Sequence, residues 1–135
     1  MMPTAIEEML RWATPVRNMN RTATCDAEVH GQQVREGDRI LLLYPSGNRD
    51  ESVFEDPDTF RIDRSPNPHI AFGFGSHFCM GANLARMEIK VVFEELFRRL
   101  PDIAATDPTG PVDRSASAFV AGIHRLPARF TPVGS

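Results

Sequence analysis

Ten residues from Phe72 to Gly81, FGFGSHFCMG, gather three glycines, one of the chain's four histidines and one of its two cysteines. Cys79 carries the most chemistry there, because a thiolate is both a nucleophile and a soft metal ligand. His77 stands two positions before it. A second constellation lies far upstream, where Glu8 and Arg11 are three residues apart on a predicted helix. Such a pair is either a solvated surface ion pair or a buried anchor. Trp12 and the apolar face of the same helix are compatible with burial.

Several chemistries compete for the glycine-rich stretch. Gly73-x-Gly75 begins a dinucleotide fingerprint, but the third glycine would fall at position 78, which is Phe78. Zinc needs closely spaced ligand pairs, and His77, Cys79 and the more distant His69 do not supply them. A nucleophilic Cys79 beside His77, just before a helix N-terminus, is physically reasonable because the helix dipole lowers a thiol pKa. The same features suit a thiolate held permanently on a metal. Glycines let backbone approach something bulky and planar, and free N–H groups can donate to the sulfur. One axial thiolate with no other protein ligand is one way in which haem iron is held. A merely buried cysteine is the bland alternative.

The elements that position these residues are legible in outline. Thr4 and Glu7 have capping-box spacing, and Ile6, Met9, Leu10 and Ala13 repeat at helical period until Pro15, which predicts a helix over 5–13. RTATC, AEVH, QQV and RILLLY, separated by turns at Gly31 and Glu36–Asp38, read as small strands. Residues 45–70 contain Pro45, Pro57, Pro66 and Pro68 among many polar residues and predict an irregular meander, with one helical turn near Ser46–Asp50. Ala85, Ile89, Val92, Phe93, Leu96 and Leu100 stripe a long helix that ends before Pro101. AFVAGIHRLPARFTPV predicts a closing hairpin or strand pair. The fold class expected is α+β, mainly α with small β hairpins.

The motif F-x-x-G-x-H-x-C-x-G, formed by Phe72, Gly75, His77, Cys79 and Gly81, resembles the haem-binding loop of the cytochrome P450 family, with histidine where that family more often has arginine. Glu8-x-x-Arg11 is similar to the E-x-x-R of the family's K helix, and AFGFGSHFCMGANLAR runs on like its loop into the L helix. The resemblance extends from Ala5 to about Pro132. It implies haem b (iron protoporphyrin IX) as cofactor, with Cys79 as the iron ligand and Phe72, Gly73, Gly75 and Gly81 shaping the loop. It also implies His77 and Arg21 on the propionates, and a fold-locking role for Glu8 and Arg11. The basic residue usual in the family's P-x-R-F motif is replaced by Thr59 in Pro57–Phe60, leaving Arg61 or Arg64 as substitutes. Val16, Met19, Phe119 and Val120 fall where the family lines its substrate pocket. TPVRNMNRTAT and SPNPHIAFGFG look like actinobacterial members that hydroxylate sterols, fatty acids or terpenoids.

The resemblance implies a haem-thiolate monooxygenase acting on an apolar small molecule. A ferredoxin or flavodoxin-type donor would dock near Arg86 and Lys90, unless these are ordinary solvated charges. The alternatives are a truncated, non-catalytic haem-binding piece and, more weakly, a cysteine-dependent enzyme using Cys79 with His77. Residues 1–135 match only the C-terminal third of a typical member, without the oxygen-activating I helix, so the isolated chain is expected to be inactive. With 41% hydrophobic and 24% charged residues the composition is globular, and a net charge of −3 disfavours nucleic acid as a partner. Two cysteines suit a reducing compartment. No apolar run approaches a membrane span, so the sequence reads as cytoplasmic.

Overall fold

The computed structural model describes residues 1–131. Helix α1 runs Met2–Ala13, three residues longer at its start than the capping box predicts. Thr4 therefore lies inside the first turn, where its hydroxyl donates to Met1 O (2.9 Å) and makes no cap. At the other end Pro15 cannot continue the helix. Thr14 takes a left-handed conformation (φ 38°), its N–H donating to Leu10 O and its hydroxyl to Arg11 O (2.6 Å).

Strand β1 (Asn18–Thr22) pairs antiparallel with β4 (Arg39–Leu43), and β2 (Ala27–Val29) with β3 (Gln32–Val34). His30 and Gly31, both at positive φ, make the two-residue turn of the β2–β3 hairpin. The short helix α2, Tyr44–Gly47, begins two residues before the predicted turn. After the meander, α3 spans Ala82–Arg99. The C-terminal region departs from expectation. Within its predicted strand pair, β7 (Ile123–Arg125) and β8 (Ala128–Arg129) do not pair with each other. β7 pairs with β6 (Asp113–Arg114) and β8 with β5 (Ala104–Ala105). The two intervening residues, Leu126 and Pro127, supply no positive φ for a tight hairpin turn, and proline cannot adopt one; Pro132 and Val133 lie outside the described residues.

The apolar core is small: Ile6, Leu10 and Ala71, with Met2, Phe72 and Ile89 packed against it. The largest fully buried side chains are all polar: Arg11, Glu8, Asn48 and Thr14. Arg11 donates through Nε and Nη2 to the two Glu8 oxygens (both 2.8 Å), and through Nη1 to Asn48 O and Pro57 O (both 2.8 Å). The ion pair is thus the buried anchor. Its third member is Arg64, 5% exposed, whose Nε lies 3.1 Å from Glu8 Oε2. Arg61 contributes its backbone N–H to Glu8 Oε1 (2.8 Å), while its side chain pairs outward with Glu55 and Asp63. Thr59 contributes its carbonyl, which accepts from both Arg11 and Arg64.

The chain exposes 10087 Å², whereas a folded monomer of this mass exposes about 7,100 Å². Much of the excess is apolar. Helix α3 buries only Ala82 and leaves Leu84, Met87, Val91 and Val92 exposed.

Burial pushes the Glu8 carboxyl up, but Arg11, the Arg61 N–H and Arg64 outweigh it and hold it at about 2, against an ordinary 4.5. A depressed carboxylate contributes stability that is complete above its unfolded value and is lost as the proton binds the folded form. Urea midpoints should therefore fall between pH 4.5 and about 2, less steeply in Glu8→Gln. At neutral pH, Glu8→Gln leaves two guanidinium groups buried without a counter-charge, an expected cost of about 3–5 kcal/mol in denaturant unfolding.

Candidate cofactor site

The loop between Ala71 and Ala82 is shaped by two glycines and a short ladder of backbone bonds. Gly73 and Gly75 have φ of 70° and 66°, a region open to glycine at little cost. Gly73 N–H donates to Ile70 O (2.8 Å), Phe78 N–H to Gly75 O (3.1 Å) and Cys79 N–H to Phe72 O (3.0 Å). Residues Gly75–His77 form one 3-10 turn. Cys79 O then accepts from Ala82 N–H (3.2 Å), which ties the cysteine to the first turn of α3. A Cβ on Gly81 would sit 3.8 Å from the Cys79 sulfur, so the residue after next bounds the thiol on one side.

Cys79 lines a cavity of about 420 Å³. Its walls are Leu10 from α1, Val16 from the chain leading into β1, Met19 from β1, Tyr44, Ala71, Phe72, and Ala85 and Ile89 from α3; His77 stands at the same wall as Cys79. Strand alternation puts Arg21 on the face of β1 that carries Met19. Arg21 does not line the cavity, and its guanidinium donates to Asn20 O (2.9 Å). The segments holding the other pocket candidates do come together. Arg17 N–H donates to Phe119 O (2.8 Å), Ala121 N–H to Pro15 O (2.7 Å), and Val16 bridges to Val120. Phe119 and Val120 are partly exposed and attach to that wall through backbone.

One thiol in a wall of otherwise apolar side chains, with a histidine beside it and glycine backbone around it, fits a flat apolar group bound through a single sulfur. It does not fit a polydentate metal site. Among the described residues no three His, Cys, Asp or Glu side chains converge on a point. The distant zinc candidate, His69, is occupied: its Nδ1 accepts Ala71 N–H (3.2 Å) and its Nε2 lies 3.0 Å from Glu7 Oε2. Burial pushes the His69 imidazole below its ordinary value despite the pull of Glu7.

Arg86 is not the free docking cation that the sequence offers. Its Nε and Nη2 donate to the two Glu7 oxygens (2.7 and 2.9 Å), and its guanidinium lies 4.7 Å from the Phe72 ring centroid. Lys90 remains about half exposed, 3.9 Å from Glu94. Three contributors escape sequence reading. Tyr44 is buried beside the loop, with its hydroxyl 3.3 Å from where a Gly73 Cβ would stand. Asn48 is fully buried, bridging Thr14 Oγ1 (2.8 Å) and Ile70 N–H (2.8 Å). Gly47 lies so close to Ile70 that an added Cβ would come within 2.7 Å of it. The only local signal was a turn-forming GNRD, which says nothing of burial.

The fold and loop define a haem-thiolate class of protein, and comparison with known proteins makes the assignment: residues 1–115 match the family model described as Cytochrome P450. The chain belongs to the cytochrome P450 family, whose cofactor is haem b. It is 53% identical over 132 residues to a steroid C26-monooxygenase of Mycolicibacterium smegmatis, covering 98% of this chain and 33% of that protein. It is 52% identical over 130 residues to a methyl-branched lipid omega-hydroxylase of Mycobacterium bovis, covering 96% of this chain and 30% of that one. A Mycobacterium marinum cytochrome P450 solved with pseudoionone superposes with a TM-score of 0.89 at 45% identity, covering 96% of this chain and 30% of the other. A Bacillus megaterium enzyme solved with testosterone gives 0.89 at 40% identity, with 95% and 35% covered. The chain spans about a third of the length of the curated relatives it matches. No helix among the described residues is long and apolar enough to cross a membrane.

The loop geometry makes a graded prediction. At Gly75 nothing lies within 4 Å of an added Cβ, so Gly75→Ala costs only the left-handed conformation, about 1–2 kcal/mol. Gly73→Ala pays the same conformational term and must also displace the buried Tyr44 hydroxyl. Thermal unfolding should rank Gly73→Ala as the less stable of the two.

Proposed function

We propose that this chain is the C-terminal, haem-ligating portion of a monooxygenase that hydroxylates an apolar small molecule, with Cys79 as the iron ligand. The observation that carries the reading is that the Cys79 thiol opens onto the same apolar cavity as Val16 and Met19. A group bound through that sulfur would thus lie against the walls expected to meet substrate.

Haem, when bound, would supply oxygen activation, and Cys79 would hold its iron through a thiolate that donates electron density to it. The chain's own residues hold the sulfur and bound the cofactor. The Phe72 carbonyl and the first turn of α3 fix the Cys79 backbone, and Gly73 and Gly75 turn the loop back without side chains in the way. His77, and Arg21 on the face of β1 shared with Met19, would pair with the propionates. Val16 and Met19, with Phe119 and Val120 on the adjoining segment, exclude water and favour a hydrocarbon substrate. The printed functions and ligands of the relatives, steroid, branched lipid, testosterone and pseudoionone, are all of this chemistry.

Electrons would come from a ferredoxin or flavodoxin-type donor; of the two cations suggested for its docking, Lys90 is the more exposed and the more loosely paired, since Arg86 is held by Glu7. A non-catalytic haem binder would share the loop and differ in yielding no product with a surrogate oxidant. A cysteine nucleophile would instead need His77 as its base and would not give a thiolate-type haem spectrum.

The test is to add haem to the chain, reduce it, admit carbon monoxide and record the absorption spectrum. A red-shifted Soret band of the thiolate type is expected, and it should be abolished in Cys79→Ser. A spectrum unchanged by that substitution would sink the ligand assignment. Titration with a steroid and a fatty acid should then perturb the ferric haem band; no response to either counts against an apolar substrate.

A further inference from the structure

Between the buried Ala71 and Ala82, Phe72 is the only side chain that is not exposed. Phe74 and Met80 point into solvent, Met80 completely, and Phe78 is half exposed with its ring edge-on to Phe72, so Phe72 is the loop side chain that packs into the core. That ring packs against Ile6, Leu10 and Ala71. Its other neighbours are the Arg86 guanidinium, 4.7 Å from the centroid, and the rings of His69 and Phe78, at 6.2 and 6.3 Å. Arg86 has little freedom there, because both Glu7 oxygens accept from it. Glu7 is steadied in turn by His69 Nε2 (3.0 Å), whose ring lies 6.2 Å from Phe72. Phe72 is also bonded to the cysteine backbone, since its carbonyl accepts Cys79 N–H at 3.0 Å.

We infer that Arg86 is a positioning residue for the Cys79 sulfur: clamped by Glu7, it fixes the Phe72 ring and, through the Phe72 carbonyl, the backbone from which the thiol projects. This replaces the docking role that the sequence suggests for Arg86. Its consequence for iron rests on the reading of Cys79 as ligand, but the mechanical claim does not. A guanidinium over an aromatic face in a half-buried site is attracted by the ring quadrupole. A charge-assisted bidentate pair also keeps that cation from rotating away. The strut therefore joins α1, α3 and the loop at the one loop side chain that packs on the core cluster.

The test reads the Cys79 amide itself. Hydrogen exchange by NMR is measured on the full chain without haem, for the wild type, Arg86→Met and Arg86→Lys, with the Leu10 and Ile89 amides as internal references. Protection of the Cys79 N–H should fall about tenfold in Arg86→Met while the references change less than about threefold, and Arg86→Lys should be intermediate. A Cys79 amide that keeps its protection, or that loses it in step with Leu10, overturns the inference. Phe72→Leu supplies the control that does not depend on Arg86→Met folding well. If the effect runs through the ring, Arg86→Lys added to Phe72→Leu changes Cys79 exchange no further, and an additive effect overturns the route. With haem bound, Arg86→Met should also lower the proportion of the thiolate-type carbon monoxide spectrum. Failure of the ligand reading would appear differently, as a wild-type spectrum indifferent to Cys79→Ser, and would leave the exchange result standing.

Discussion

The Glu8 carboxylate accepts from five donors: two on Arg11, one on Arg64, the Arg61 backbone and the Asn67 amide. An ionised carboxyl has about four lone-pair sites, so this one is saturated. The two guanidinium groups then use their remaining N–H bonds on carbonyls of the meander, at Asn48, Glu55, Asp56, Pro57 and Thr59. A segment without regular structure has no internal ladder for its backbone, and these two side chains supply one. The cluster carries a net positive charge in the interior, a state that persists only while every contact is made. The irregular middle of the chain is ordered because it is the counterpart of an ion pair on α1.

The same helix serves the cofactor loop with its neighbouring residue. Glu8 faces the meander and Glu7 faces α3, so adjacent carboxylates divide the chain between them. Glu7 holds Arg86 and His69, which flank the loop at its two ends. Asn48 closes the circuit, taking the Ile70 N–H just before the loop while its amide holds the Thr14 hydroxyl at the end of α1. The apolar core is thin at this point, and directional bonds do the placing that packing does in larger domains.

What the sequence disclosed depended on how local the determinant was. The cysteine loop was legible because its conformation is written in glycines at positions that require positive φ, and Glu8 with Arg11 because three residues of helix bring them together. Arg64 was one of two candidates for the basic slot left by Thr59, and only tertiary structure separates it from Arg61. The side chain of Thr59 turned out to be irrelevant; its carbonyl is what the cluster uses, and a carbonyl has no sequence signature. The capping box failed for a related reason. Glu7 found stronger partners in Arg86 and His69, 79 and 62 positions away, than a helix N-terminus offers. The C-terminal strands were foreseen as extended, but which strands pair is decided by segments well outside the run.

The exposed apolar face of α3 makes the folding of this chain a problem of mass action. Anything that covers Leu84, Met87, Val91 and Val92 recognises the folded chain and not the unfolded one. Its contribution grows with the logarithm of its concentration, reaching about 2.7 kcal/mol at a hundredfold excess over the dissociation constant. The free energy of this fold is thus partly a property of the solution around it, set by how much of a complementary surface is present.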